Sequence, residues 1–148
     1  ERAADVEYRP GRTIKPSAER EIPERDEVIE QVRAALRHYW GGPGLSRSRL
    51  LDFHIVQAEY DDDTTPTQAL QKVLRQGIET LRPEGEPDRK SQEWVLYNIL
   101  KQRFLEARKA RDTARSLYIS EANLFRKQNV AIEAVADAIL NQEKQQHP

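Results

Sequence analysis

The stretch RDTARSLYISEANLFRKQ, residues 111–128, decides how the chain is read. Two helices that cross at roughly 90 to 120 degrees over a short turn need a small residue where their backbones approach and apolar residues to fill the angle. Ala114 supplies the small residue, and Leu117 and Ile119 supply the apolar ones. Ser120 stands where a hydroxyl can accept from the free amides that open the next helix. Beyond it, Leu124, Ala131 and Val135 are spaced seven and four residues apart. At about 100 degrees per residue they fall in one narrow strip, turned towards the preceding helices. Ala122, Arg126, Asn129 and Glu133 then point outward, with Asn123 and Phe125 at the flanks. The spacing predicts a short helix over 109–117, a turn over 118–120 and a long final helix over 121–145.

Working outward, QEWVLYNILKQRFLEA (92–107) reads as a helix whose Trp94, Leu96, Tyr97, Leu100 and Phe104 supply most of the bulky apolar surface. Before it, RPEGEPDRKS (82–91) breaks any regular element with two prolines, a glycine and alternating charge. Three further helices are expected upstream. PERDEVIEQVRAALRHYW (23–40) is opened by Pro23 and early acids, with Val28, Ile29, Val32, Ala35, Leu36 and Tyr39 at helical spacing, and GGPG (41–44) ends it. Ser46 can cap SRSRLLDFHIVQAEY (46–60), whose Leu50, Leu51, Phe53, Ile55 and Val56 taken alone would also suit a buried strand. Thr65 and Pro66 open PTQALQKVLRQGIETL (66–81), with Leu70, Val73, Leu74, Ile78 and Leu81 in one stripe.

The first 25 residues hold three prolines and few large apolar side chains, so residues 1–22 read as a flexible arm or linker. The expectation is an all-α chain: that arm, a helical companion domain over 23–87, and a second helical domain over 88–148 that ends in the long helix. The boundary at 82–91 can uncouple two folding units, which makes residues 1–87 dispensable for bare nucleic-acid contact by the second domain but needed for partner binding or dimerisation.

Composition narrows the chemistry. The 148 residues carry a net charge of −1 and no cysteine. Disulfides, thiolate zinc sites and cysteine nucleophiles are excluded, and a reducing, cytoplasmic setting is the natural one. No apolar run approaches the roughly 18 to 20 residues that span a bilayer, and no charged-then-apolar leader opens the chain, so a soluble protein without a membrane partner is expected. A chain that starts at Glu1 and has no methionine reads as a processed product or a piece of something longer.

His38, His54 and His147 are isolated in sequence, without paired metal-ligand spacing. Asp61, Asp62 and Asp63 lack the spaced oxygens and glycine of a calcium loop, and GGPG lacks the lysine of a phosphate-binding loop. No carboxylate pair sits in an apolar run that would raise a pKa, and no serine has a plausible catalytic histidine and acid nearby in sequence. Neither an enzyme nor a cofactor or metal is expected.

The segment RDTARSLYISEANLFRKQNVAIEAV resembles the helix-turn-helix of sigma-factor region four and of related bacterial transcription regulators. In it an acid (Asp112), a small residue (Ala114), an apolar turn (Leu117, Ile119), a serine (Ser120) and a spaced apolar seam (Leu124, Ala131, Val135) recur in register. EWVLYNILKQRFLEARKA is similar to the helix that leads into that unit, so the resemblance covers about residues 92–140.

It implies a regulator, or a regulatory module of a larger bacterial protein, that reads double-stranded DNA with the helix after Ser120. Base edges would fall to Ala122, Asn123, Phe125, Arg126 and Asn129. Phosphates would fall to Lys109, Arg111, Arg115, Ser120 and Lys127. Two positions depart from the pattern. Tyr118 stands where the turn commonly has glycine, and Gln128 stands on an edge of the seam that is usually apolar. Nothing in residues 1–90 resembles the helices with which a sigma factor engages polymerase and melts a promoter, so a complete sigma factor is not expected.

Local charge agrees with a DNA contact. Residues 101–130 hold eight bases against three acids, an excess of +5, whereas the stretch from Ala131 onward is at −2. The alternative is a helical interaction module, in which the same hairpin and the apolar faces of the first helices bind RNA polymerase, a signalling partner or a second copy of the chain.

Overall fold

The computed structural model describes residues 22–86 and 91–146. The arm expected over 1–22, apart from Ile22, lies outside them, as do His147 and part of the 82–91 boundary. Among the described residues every regular element is helical, and a lone bridge between Asp61 and Thr64 is the one β-type pairing.

Helix α1 runs Arg25–Arg37, with Asp26 and Glu27 in its first turn, where the helix dipole favours negative charge. Its N-cap is Glu24, so Pro23 lies just ahead of the cap and outside the first turn. Val28, Ile29, Val32, Ala35 and Leu36 are buried along one face. The chain then reverses through GGPG and lays the short helix α2, Pro43–Ser46, back on α1. A Cβ on Gly44 would stand 2.4 Å from the Ala34 carbonyl oxygen, so this close return requires glycine. The Gly44 amide donates to His38 Nδ1 at 2.7 Å.

The helix expected over 46–60 is broken. A 3-10 turn spans Arg49–Asp52, capped by Ser48 rather than Ser46, with Leu50 N donating to Ser48 Oγ at 3.1 Å. Phe53 is extended, and α3 occupies only His54–Gln57. The break lets Leu50, Phe53, Ile55 and Val56 all turn inward, which no single helical face could do. The amides that open α3 are capped from a distant part of the chain. Glu143 is 4% exposed and accepts from His54 N at 3.0 Å and Ile55 N at 3.1 Å, and its carboxylate lies 3.0 Å from His54 Nδ1.

Helix α4, Pro66–Glu79, begins with a complete capping box. Gln68 N donates to Thr65 Oγ1 at 3.2 Å, and Thr65 N donates to Gln68 Oε1 at 2.9 Å. Its Ala69, Leu70, Val73, Leu74 and Ile78 are buried. A Cβ on Gly77 would approach Val135 Cγ1 to 3.0 Å, so the glycine lets α4 cross the last helix at short range.

Helix α5 covers Gln92–Leu100 and continues as a π turn over Lys101–Leu105, shorter and less regular than the helix expected to Ala107. Ala107, at φ +56°, ends it. Helix α6 is Ala110–Ser116, and α7 is Glu121–Gln146, about 39 Å long at 1.5 Å per residue.

Helix α7 is the axis of the molecule. Its Ala131, Ile132, Val135, Ala136, Ile139 and Leu140 join α1, α3, α4 and the Trp94, Tyr97 and Leu100 side of α5 in one buried cluster. A second cluster of Val95, Ile99, Ala114, Leu117 and Leu124 ties the opposite side of α5 to α6 and the start of α7. The main cluster therefore runs across the 82–91 boundary: the two helical groups anticipated in the sequence share a core. No helix among the described residues is long and apolar enough to cross a membrane.

Candidate nucleic-acid interface

The hairpin is built by its turn. After Leu117 caps α6, Tyr118 N donates to Arg115 O at 3.2 Å and Ile119 N donates to Ala114 O at 3.0 Å. These are the paired bonds of a Schellman motif, in which the residue after the cap adopts the left-handed conformation. That residue is Tyr118, at φ +60°, in a place where glycine is usual. Ile119 turns back against the Ala114–Leu117–Leu124 cluster, the apolar contact that accompanies this motif. Ser120 then caps α7, its Oγ accepting from Asn123 N at 3.0 Å.

The residues expected to face bases lie at the start of α7. Ala122, Phe125, Arg126 and Asn129 are exposed, and Asn123 is half-buried. Arg126 and Asn129 lie on the side away from the buried Leu124. Val130, 55% exposed, extends this face with an apolar side chain. Glu133, which the spacing turned outward, is engaged: with Asp137 it holds Arg25 across to α1, at 3.4 Å and 2.7 Å. The Arg25 guanidinium, first by hydrogen bonding, keeps the Asp137 carboxyl below the usual carboxylate range.

Among the residues expected to meet phosphates, Lys109 is the N-cap of α6, and Lys109, Arg111, Arg115 and Ser120 are exposed. Lys127 is half-buried. No ion pair ties Lys109, Arg111, Arg115 or Arg126 to an acid among the described residues.

Gln128 explains its own departure from an apolar seam. Its Oε1 accepts from Arg103 Nε at 3.0 Å, while Arg103 Nη1 donates to Arg108 O at 2.7 Å. Arg103 is half-buried, and desolvation pulls its pKa below the ordinary guanidinium value. It has carbonyl-type partners but no carboxylate among the described residues, so its charge stays uncompensated.

Beside it the structure brings in residues that the sequence alone did not assign to a site. Arg33 and Arg37 of α1 line a groove of about 290 Å³ together with Arg103, Phe104, Phe125 and Asn129. Their four-residue spacing placed both arginines on one face of α1, but only the packing of α1 on α7 sets that face beside the hairpin. No group of three or more His, Asp or Glu side chains among the described residues converges as a metal site. No protein-family model, curated protein or solved structure matches the chain.

Proposed function

We propose that the chain is a DNA-binding transcriptional regulator, or such a module of a larger bacterial protein, that reads duplex DNA with the first turns of α7. The observation that carries this reading is the α6–turn–α7 hairpin. Its Schellman turn and its Ser120 cap present Ala122, Phe125, Arg126 and Asn129 on one exposed face, and the preceding α6 carries the exposed Lys109, Arg111 and Arg115, which have no acidic partner among the described residues. A helix held at its N-terminal end on a rigid turn can enter a major groove of ≈ 12 Å width, with amide and guanidinium groups at the depth of base edges. Cations on the preceding helix then meet the flanking phosphates, which fixes orientation without reading sequence.

A selection from random duplexes, followed by anisotropy titrations at several salt concentrations, tests this. Arg126→Ala and Asn129→Ala should each lose about 1 to 3 kcal/mol of discrimination between selected and random duplex. Neutralising Lys109, Arg111 and Arg115 to glutamine should weaken all duplexes alike and flatten the salt dependence by about 0.9 for each phosphate no longer neutralised. A parent protein that ignores duplex DNA at low salt refutes the reading. A second reading rests on the exposed apolar side chains of Tyr118, Phe125 and Val130, which suit a protein partner as well as thymine methyl groups. Retention of a partner protein by this face, without duplex binding, favours it.

A further inference from the structure

The groove beside the hairpin is larger than duplex reading requires. Arg37, Arg103 and Phe104 line both the pocket that ends at Asn129 and an adjoining one of about 380 Å³ that ends at Trp40 and Lys109. The two lie side by side along Arg37, Arg103 and Phe104, between α1 and the π turn. Among the described residues no acidic side chain lines either part. Of the basic side chains that line them, Arg33 pairs with Glu30 and Arg108 with Glu106. Among the described residues no acidic side chain pairs with Arg37, Arg103 or Lys109, and the Arg103 side chain is half-buried.

Aromatic rings line both pockets. Trp40 is 63% exposed, yet it is not loose: its Nε1 donates to Leu105 O at 3.1 Å and its ring meets Tyr39 edge to face at 5.0 Å. Phe125, 45% exposed, lines the pocket that ends at Asn129, and Phe104 lines both. A large apolar ring held in place but left facing solvent is a platform awaiting a flat partner.

Cations without counter-ions, interleaved with such platforms in one groove, match the chemistry of an unpaired nucleotide chain, whose phosphates seek the cations and whose free base faces stack on rings. A duplex keeps its bases stacked on one another and offers nothing to Trp40. A single nucleotide fills one compartment and leaves the second ring idle. We propose that this groove binds single-stranded nucleic acid, its phosphates on Arg37, Arg103 and Lys109 and its bases on Trp40 and Phe125. The groove shares Phe125, Asn129 and Lys109 with the residues assigned to duplex reading, whereas Trp40, Arg37 and Arg103 belong to it alone, so the proposal is tested at Trp40 and Arg37.

The test is anisotropy of the full chain with a labelled oligothymidylate of about 15 nucleotides. Three comparison ligands accompany it: an abasic deoxyribose-phosphate oligomer of equal length, a random duplex, and the labelled strand in the presence of that duplex. The parent should bind the oligothymidylate and hold the abasic oligomer more weakly. Trp40→Ala should weaken the oligothymidylate about tenfold and the abasic oligomer not at all, with Trp40→Phe restoring most of the loss. Arg37→Gln, at an exposed position without an acidic partner among the described residues, should weaken both and lower the salt slope by about 0.7. Thermal melts of each variant separate binding from folding, and Arg37→Gln with Trp40→Phe carries the test if Trp40→Ala does not fold. A parent that binds no single strand at low salt overturns the proposal. So does equal affinity for the abasic oligomer, which shows simple attraction between charges. A Trp40→Ala loss of the same size for duplex and single strand also overturns it, because the groove then holds the duplex backbone.

Discussion

Glycine at position 118 should make the protein more stable than alanine there, although glycine is the more flexible residue. Tyr118 sits at φ +60° in the turn that joins α6 to α7, a conformation in which the Cβ of an L-residue is crowded by its own carbonyl at about 1 to 2 kcal/mol. The ring is 73% exposed, so little burial is forfeited, and both Schellman hydrogen bonds run through backbone atoms that glycine keeps. Against the relief stands the added freedom of glycine in the unfolded chain, about 0.4 to 1 kcal/mol. The balance is a gain of about 0.8 kcal/mol over alanine at the same position, or a Tm about 2 to 3 °C higher for a chain of this size. The partner variant is Tyr118→Ala, which keeps the Cβ and therefore the strain; its Tm should not rise. Paired thermal melts by circular dichroism give the difference. A Tyr118→Gly melt at or below that of Tyr118→Ala refutes the assignment of strain to this turn, and with it the view that the hairpin angle is fixed there.

Three other outcomes follow from the packing. Glu143→Ala removes the acceptor of two amides at the start of α3 and should destabilise by about 3 kcal/mol, whereas Glu143→Gln, which keeps one oxygen, should lose less; a Glu143→Ala melt within a degree of the parent contradicts the capping role. Asp137→Asn should lower Tm at neutral pH, and the gap should close in acid. Because the folded pKa of Asp137 is depressed by Arg25, its contribution is complete above the unfolded value of about 4 and is lost as pH falls through the folded one, so a gap that persists in strong acid refutes the pairing. Residues 88–148 expressed alone should show helical signal without a cooperative melt, since Ile132, Val135, Ile139 and Leu140 lose the α1 and α4 side chains that cover them, and a sharp two-state transition would show that the second half folds by itself.

What could be read from the sequence is what neighbours in sequence decide. Thr65, Pro66 and Gln68 lie within one turn of each other, and they fix the start of α4 by hydrogen bonds among themselves. The all-α class and the seam of Leu124, Ala131 and Val135 follow from spacing alone, and each of those residues is buried. The stretch 46–60 misled because its local pattern is helical while its partner is remote. Glu143 lies 89 residues beyond His54, inside a polar ending that gives no sign of a buried carboxylate, and it rewards a chain that stops at Phe53 and restarts. Gln128 shows the same dependence from the other side. It breaks an apolar seam, and the reason is the guanidinium of Arg103, set there by a π turn that no periodicity announces.

The groove tests that division most severely. Arg33 and Arg37 are a visible pair at four-residue spacing, and on an isolated helix they are a solvated face. Their meaning changes once the apolar face of α1 is buried along α7 and brings them beside Arg103, whose half-buried guanidinium is fixed by Gln128 and the Arg108 carbonyl. Helix α1 cannot then be detached from the surface that the hairpin presents. The boundary at 82–91 divides the sequence, but Phe125, Asn129, Arg33 and Arg37 face one space. Removing residues 1–87 therefore takes away part of the cationic wall along with part of the core, and loss of nucleic-acid binding in such a truncation says nothing by itself about α7. Point substitutions at Arg37 on one wall and at Arg126 on the outward face separate the two, since Arg37 lines the groove and Arg126 does not.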